Sequence, residues 1–170
     1  THDGVVDIFR QLYIEMKNNK KKQGILFWIT GLSGSGKTSI AENVKKKISK
    51  NYGPILTLSG DDLRKIFDYK KFSRNSRMQY ALNYSKFCQY ITNQNINVVL
   101  SKVSLFHTVR KCNRTNINNY VEIYIKSDLT KIFKKKSKYF YIGNHKNVTG
   151  KNVTAKSPRS PDIIINNALT

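Results

Sequence analysis

Ile25-Leu26-Phe27-Trp28-Ile29-Thr30 runs without a break into Gly31-Leu32-Ser33-Gly34-Ser35-Gly36-Lys37-Thr38, and this junction decides the fold. The second stretch satisfies the phosphate-loop spacing G-x-x-x-x-G-K-[ST]. It also stands where that loop must stand, between an apolar strand candidate and an amphipathic helix candidate. Each part has a physical task. Gly31, Gly34 and Gly36 allow backbone conformations and a close phosphate approach that side chains would obstruct. The turn aims successive backbone N–H groups at an anion, and the following helix adds the positive end of its dipole. Lys37 can reach β- and γ-phosphate oxygens, and the Thr38 hydroxyl suits the magnesium that bridges them. Gly31, Ser33, Gly34, Ser35, Gly36, Lys37, Thr38 and Ser39 are therefore the candidate ATP-binding residues.

The rest of the chain fits around this loop as one domain. Its 170 residues suffice for a single real core, and 39% hydrophobic with 11% aromatic residues match a globular protein. No apolar run approaches the roughly 20 residues of a membrane span, and no signal peptide pattern is visible. A cytoplasmic location and no membrane partner are expected. Cys88 and Cys112 have neither disulfide-scaffold nor metal-ligand spacing, so both are expected as reduced thiols. Thirty-one Lys and Arg against ten Asp and Glu give a net charge of +21. Those lysines are scattered, with no aromatic-interleaved recognition module beside them. Direct nucleic-acid binding is disfavoured against a general attraction for small polyanions.

Taken in order, Val5, Ile8, Phe9, Leu12, Tyr13 and Met16 recur at helical spacing and predict an amphipathic helix over about 3–17. Whether that leader docks on the domain is left open by its sequence. After the loop a helix runs to about Lys50 and stops at Asn51-Tyr52-Gly53-Pro54. Ile55-Leu56-Thr57-Leu58 is a second strand, ending in Ser59-Gly60-Asp61-Asp62-Leu63-Arg64. In an open parallel sheet, chemistry collects at such carboxyl ends. An Asp61 or Asp62 helix cap is the plainer reading for one of the aspartates. A helix follows over about 73–93, then strands at Asn97–Ser101 and Tyr120–Ile125. Between those strands Ser104 precedes a helix through Arg114, and a short helix is expected over 129–135. Residues 136–161 read as a mobile lid, and Asp162–Ile165 as a fifth strand. Strands alternating with helices specify a parallel sheet covered on both faces.

From about Gln23 to Asn167 the chain resembles the adenylylsulfate (APS) kinases. The resemblance rests on collinear motifs. Phe27-Trp28-Ile29-Thr30 leads into the loop, and Gly60-Asp61-Asp62-Leu63-Arg64 stands at the family's D-G-D-N-[IV]-R. Phe72-Ser73 with Arg77 matches G-F-S-x-x-D-R, Ser101 to Ser104 matches S-x-I-S, and Arg110 belongs to the arginine pair beyond. Lys146-Asn147-Val148-Thr149-Gly150 matches K-N-F-T-G, and Ser157-Pro158 with Ser160-Pro161-Asp162 matches the approach to the last strand. It implies a nucleoside-kinase-like, three-layer α/β sandwich over 23–170, with 1–22 a helix and polar hinge before it. It also implies transfer of the ATP γ-phosphoryl group to the ribose 3′-hydroxyl of a nucleotide, with Mg2+ as cofactor. By the same resemblance Lys37, Asp61 and Ser104 are the catalytic candidates, and Thr38 and Asp61 hold the metal. Arg64, Phe72, Arg77, Lys138 and Val148 form the acceptor site. A helix N-cap is the competing reading of Ser104.

Departures from the family pattern cluster on the acceptor side. Ser59 replaces the first aspartate, Tyr80 stands where an asparagine is usual, Val148 replaces a stacking phenylalanine, and Lys135-Lys136 replaces R-D. A related branch phosphorylates cytidine diphosphoramidate, a capsule precursor, and a smaller pyrimidine suits a site with one stacking ring fewer. Adenylylsulfate and cytidine diphosphoramidate are therefore both carried as acceptors, and a homodimer as the oligomeric expectation. The rivals are a degenerate nucleotide-binding module without kinase activity, and a basic nucleic-acid-binding ATPase.

Overall fold

Alternation along the first strand sorts the core into two halves. In the computed structural model, which describes residues 2–19, 23–104, 106–128, 132, 149 and 154–166, strand β1 is Leu26–Gly31. Successive side chains point to opposite faces of a strand. Phe27 and Ile29 accordingly pack with Ile40, Ala41 and Val44 of α2 (Lys37–Tyr52). Leu26 and Trp28 pack on the other face with Leu63 of α3 (Gly60–Ile66) and with Ala81, Tyr84 and Cys88 of α4 (Arg74–Asn93). All four β1 side chains are fully buried. The result is three layers, helices on both faces of one sheet.

That sheet has five parallel strands in the order β2-β3-β1-β4-β5, with β2 Ile55–Ser59, β3 Asn97–Lys102, β4 Tyr120–Lys126 and β5 Ile163–Asn166. Burial on both faces explains why the central strands read as continuous apolar runs rather than alternating ones. The register matters for function. Thr30 lies opposite Lys102, and Ser59 opposite Ser101. The carboxyl ends of β1, β2 and β3 are thus level, and the turns that leave them share one edge of the sheet. β1 leads away to β2 at one edge and β4 to β5 at the other. Such a reversal opens a crevice at the carboxyl ends, where open α/β sheets bind ligands.

The leader helix docks. It is α1 (His2–Asn19), and Phe9 is fully buried with its ring 4.9 Å from that of Phe27. Cys88 and Cys112 are both free thiols, and burial pushes the Cys88 thiol up to about 12. Two helix starts differ from expectation. Ser59, not an aspartate, caps α3: its Oγ accepts from the Asp62 N–H at 3.1 Å and donates to the Asp62 carboxylate at 2.6 Å. The cause is the extended backbone of Ser59, which places its hydroxyl over the first turn and leaves Asp61 inside the helix. Ser104 is not a cap either. The backbone stays extended at Phe106, so α5 (His107–Asn116) begins three residues later.

The short helix expected over 129–135 lies outside the described residues except for Ile132, which is buried. Of the expected lid, Thr149 and 154–161 are described, and the segment leading into β5 is clamped. Arg110 Nη2 donates to the Lys156 and Ser157 carbonyls at 2.7 and 3.3 Å, and Arg114 Nη2 to the Ser160 carbonyl at 3.1 Å and the Asp162 carboxylate at 3.0 Å. Both arginines pair with Glu122 of β4, whose carboxyl burial pushes upward against their opposing attraction. Arg110 thus fixes the approach to the last strand.

Candidate active site

The loop after β1 is shaped by its glycines in two different ways. Gly34 and Gly36 have φ of 78° and 86°, a region that costs other L-residues energy. Gly31 is needed for space: a Cβ there would lie 2.8 Å from both the Ile125 carbonyl oxygen and Ser35 Oγ. The loop then opens α2 with Gly36 as its N-cap, no side-chain cap bond, and no acid in the first turn. A helix start left uncapped in this way keeps its N–H groups and positive dipole end available to an anion. Ser35 is buried within the turn, whereas Thr38 and Ser39 are exposed on the first turn of α2.

Lys37 lies back across the loop and donates to the Leu32 carbonyl at 2.6 Å. Burial lowers its pKa to about 8, and the Asp61 carboxylate opposes that shift. Asp61 itself sits in the first turn of α3 with its side chain 87% exposed, 3.7 Å from Arg64 Nη2. The lysine after β1 and the acid after β2 therefore act on each other across the shared edge, although β3 separates their strands.

Beside them lies a cationic and aromatic cluster. The Arg64 and Arg77 guanidinium carbons are 4.8 and 5.8 Å from the centroid of the Phe72 ring, which is exposed. Arg77 Nε donates to the Phe72 carbonyl at 2.9 Å, and its Nη1 to Thr149 Oγ1 at 3.0 Å. Burial, then Arg64, lowers the Arg77 pKa. Arg64, Phe72 and Arg77, three of the expected acceptor residues, thus stand together. The other two, Lys138 and Val148, lie outside the described residues. Tyr80 stacks on Tyr69 with ring centroids 3.9 Å apart, and its hydroxyl accepts from the Lys71 N–H at 3.3 Å.

Ser104 is fully buried. Its Oγ has no hydrogen-bond partner among the described residues, and its carbonyl accepts from Thr30 Oγ1 at 3.2 Å and Arg110 Nη1 at 3.4 Å. It therefore ties the end of β1 to α5.

A model of the family described as adenylylsulphate kinase matches residues 23–166. The chain belongs to the adenylylsulfate kinase family. Among curated relatives it is 32% identical to the cytidine diphosphoramidate kinase of Campylobacter jejuni over 90% of this chain and 89% of that one. It is 27% identical to the adenylyl-sulfate kinase of Gloeothece citriformis over 84% of each. The fold is that of the Mycobacterium tuberculosis APS kinase CysC in complex with AMPPNP and APS, with a TM-score of 0.79, 24% identity, and 87% and 91% of the two chains covered. As a member of this family the chain is a phosphotransferase, an ATP-dependent nucleotide kinase. Among the described residues no helix is long and apolar enough to cross a membrane.

Two residues of the cluster escaped the sequence reading. Lys102, the x of Ser101-x-Val103-Ser104, ends β3 at 7% exposure, its Nζ 4.5 Å from the centroid of the Tyr84 ring. Thr149 reaches Arg77 across 72 positions of sequence. The available signal for Lys102 was a charged residue directly continuing a buried apolar strand. For Thr149 it was its place in the motif Lys146–Gly150.

Proposed function

We propose that this kinase transfers the γ-phosphoryl group of ATP to the ribose 3′-hydroxyl of cytidine diphosphoramidate. The observation that carries the reading is the coupling of Lys37 and Asp61 across the sheet edge, with Arg64, Phe72 and Arg77 alongside. Donor and acceptor machinery then converge on one crevice. The loop amides and Lys37 hold the triphosphate, and Phe72 stacks on the acceptor base. Arg64 and Arg77 bind the anionic groups next to that nucleoside. The acceptor oxygen attacks the γ-phosphorus, the bond to the ADP oxygen breaks in line, and the hydroxyl proton passes to the Asp61 carboxylate. Ser104 enters as a positioning residue, through its carbonyl.

The donors present fit Mg2+. An exposed threonine hydroxyl and an exposed carboxylate are hard oxygen ligands, and magnesium typically takes one or two such groups together with substrate phosphates. Thr38 and Asp61 would hold it, and it would neutralise charge on the β- and γ-phosphate oxygens.

The cytidine acceptor is preferred over adenylylsulfate on two grounds. The relative of that name is more similar than the adenylyl-sulfate kinase described above. The Tyr69–Tyr80 stack also places aromatic bulk against the backbone next to Phe72, which favours a smaller base. The test of the transfer itself uses γ-labelled ATP, Mg2+ and either cytidine diphosphoramidate or its 3′-deoxy analogue. Label should enter the first and not the second. Label entering the 3′-deoxy compound equally would overturn the assignment of the attacking hydroxyl.

A further inference from the structure

We propose that Lys102 is a third cation of the acceptor site, which binds the distal charged group of a nucleoside diphosphate-type acceptor and so selects against nucleoside monophosphates. This rests on the kinase reading above and deepens it. Lys102 ends β3 level with the phosphate loop, since its strand partner is Thr30. Its stem passes over Gly60, where a Cβ would come within 3.0 Å of Lys102 Cγ, so the absence of a side chain at 60 lets the lysine run along the edge. The groups around its amine come from two elements. Asp61 and Arg64 belong to α3, and Arg77 and Tyr84 to α4.

Among the described residues the charges acting on Lys102 are those of Arg64, Arg77 and Asp61, and Asp61 lies against Arg64. Among the described residues Lys102 itself has no ion pair, and its one contact of this kind is the Tyr84 ring. A nearly buried ammonium among like charges is costly unless something anionic compensates it. The order of the cations gives the register of the ligand. Both arginines lie over Phe72, the base-stacking ring, while Lys102 lies over Tyr84, deeper at the sheet edge. The phosphate next to the nucleoside would meet the arginines, and the group beyond it would meet Lys102.

Burial foremost, then Arg64 and Arg77, hold the Lys102 pKa at about 7, against the pull of Asp61. An anionic ligand favours the charged amine. Affinity should therefore be full below about pH 7 and weaken as pH rises past it. Tyr84, held up at about 12, stays neutral throughout.

The test measures binding by calorimetry to the full chain loaded with Mg2+ and a non-hydrolysable ATP analogue. The probes are cytidine diphosphoramidate, adenylylsulfate and cytidine 5′-monophosphate, and transfer is assayed in parallel with ATP. Lys102→Met should weaken the two diphosphate-type probes about 10- to 100-fold, the scale of a lost charged hydrogen bond. The monophosphate should change at most about threefold. Lys102→Arg should restore most of the affinity, and both variants should lose the decline of affinity above neutral pH. Wild-type affinity and the same pH profile in Lys102→Met would overturn the assignment while leaving the kinase reading intact. Binding lost in Lys102→Met, with no transfer to either acceptor in the wild type, would uphold Lys102 and overturn the kinase reading. Binding of neither probe by the wild type would overturn both.

Discussion

In the proposed reaction Lys37 and Asp61 carry the chemistry, and neither side chain belongs to the hydrophobic core. The role proposed for Lys37 is on charge that develops during transfer, where loss of one stabilising group costs about 10²–10³ in turnover. Lys37→Ala and Asp61→Ala should each lower kcat by at least about that much with the circular dichroism spectrum unchanged. Full activity in Asp61→Ala would remove the acid from the mechanism. Lys102 also leaves a mark on stability. Its folded pKa of about 7 lies below its ordinary 10.5, so between those values the unfolded chain binds more protons. Stability from this residue therefore rises with pH across that window, and the cost of the buried charge is fully present below it. Lys102→Met should raise the apparent Tm most at acidic pH, with the gain shrinking toward alkaline pH; a constant gain would contradict the buried charge. At this scale the sequence was legible where chemistry is local. The eight residues of the phosphate loop carry their own spacing, so Lys37 needed no fold to be found. Lys102 was not legible, because its environment is built by α3 and α4 from 18 to 41 positions away.

The elements were legible wherever one periodicity dominates. All five strands stand within a residue or two of their apolar runs, and α4 begins within a residue of its expected start, with Ser73 as its cap. What escaped were the starts of α3 and α5, which depend on the backbone angles of one residue. Ser59 stands where the family pattern has an acid, and in the structure it caps α3, the helix that carries Asp61 and Arg64. Ser59→Ala should cost about 1 kcal/mol in urea unfolding. It should also lower kcat more than the acceptor KM, because α3 positions the acid. An unchanged unfolding midpoint would contradict the cap. The segment 154–161 shows the same limit. Its sequence has little periodicity, and it is fixed by the side chains of α5 rather than by its own pattern.

At the scale of the molecule, the chain carries a net charge of +21, and the proposed reaction brings two anionic substrates to one crevice. Long-range attraction of this kind is screened within about 8–10 Å at physiological salt. The acceptor KM should rise steadily with ionic strength while kcat changes little; an insensitive KM would mean that the excess charge does not serve the site. The architecture was the most legible level of all, since a phosphate loop between strand and helix admits few topologies. The docking of α1 through Phe9 was not, because an amphipathic face does not name its partner. Transfer to a nucleotide is followed most directly through phosphorus. Purified protein, ATP and Mg2+ are mixed with cytidine diphosphoramidate or with adenylylsulfate, and ADP and phosphorylated nucleotide are quantified together by 31P NMR. One phosphorylated cytidine nucleotide per ADP is expected, formed faster than the adenylylsulfate product. ADP and inorganic phosphate alone, with neither nucleotide phosphorylated, would contradict it.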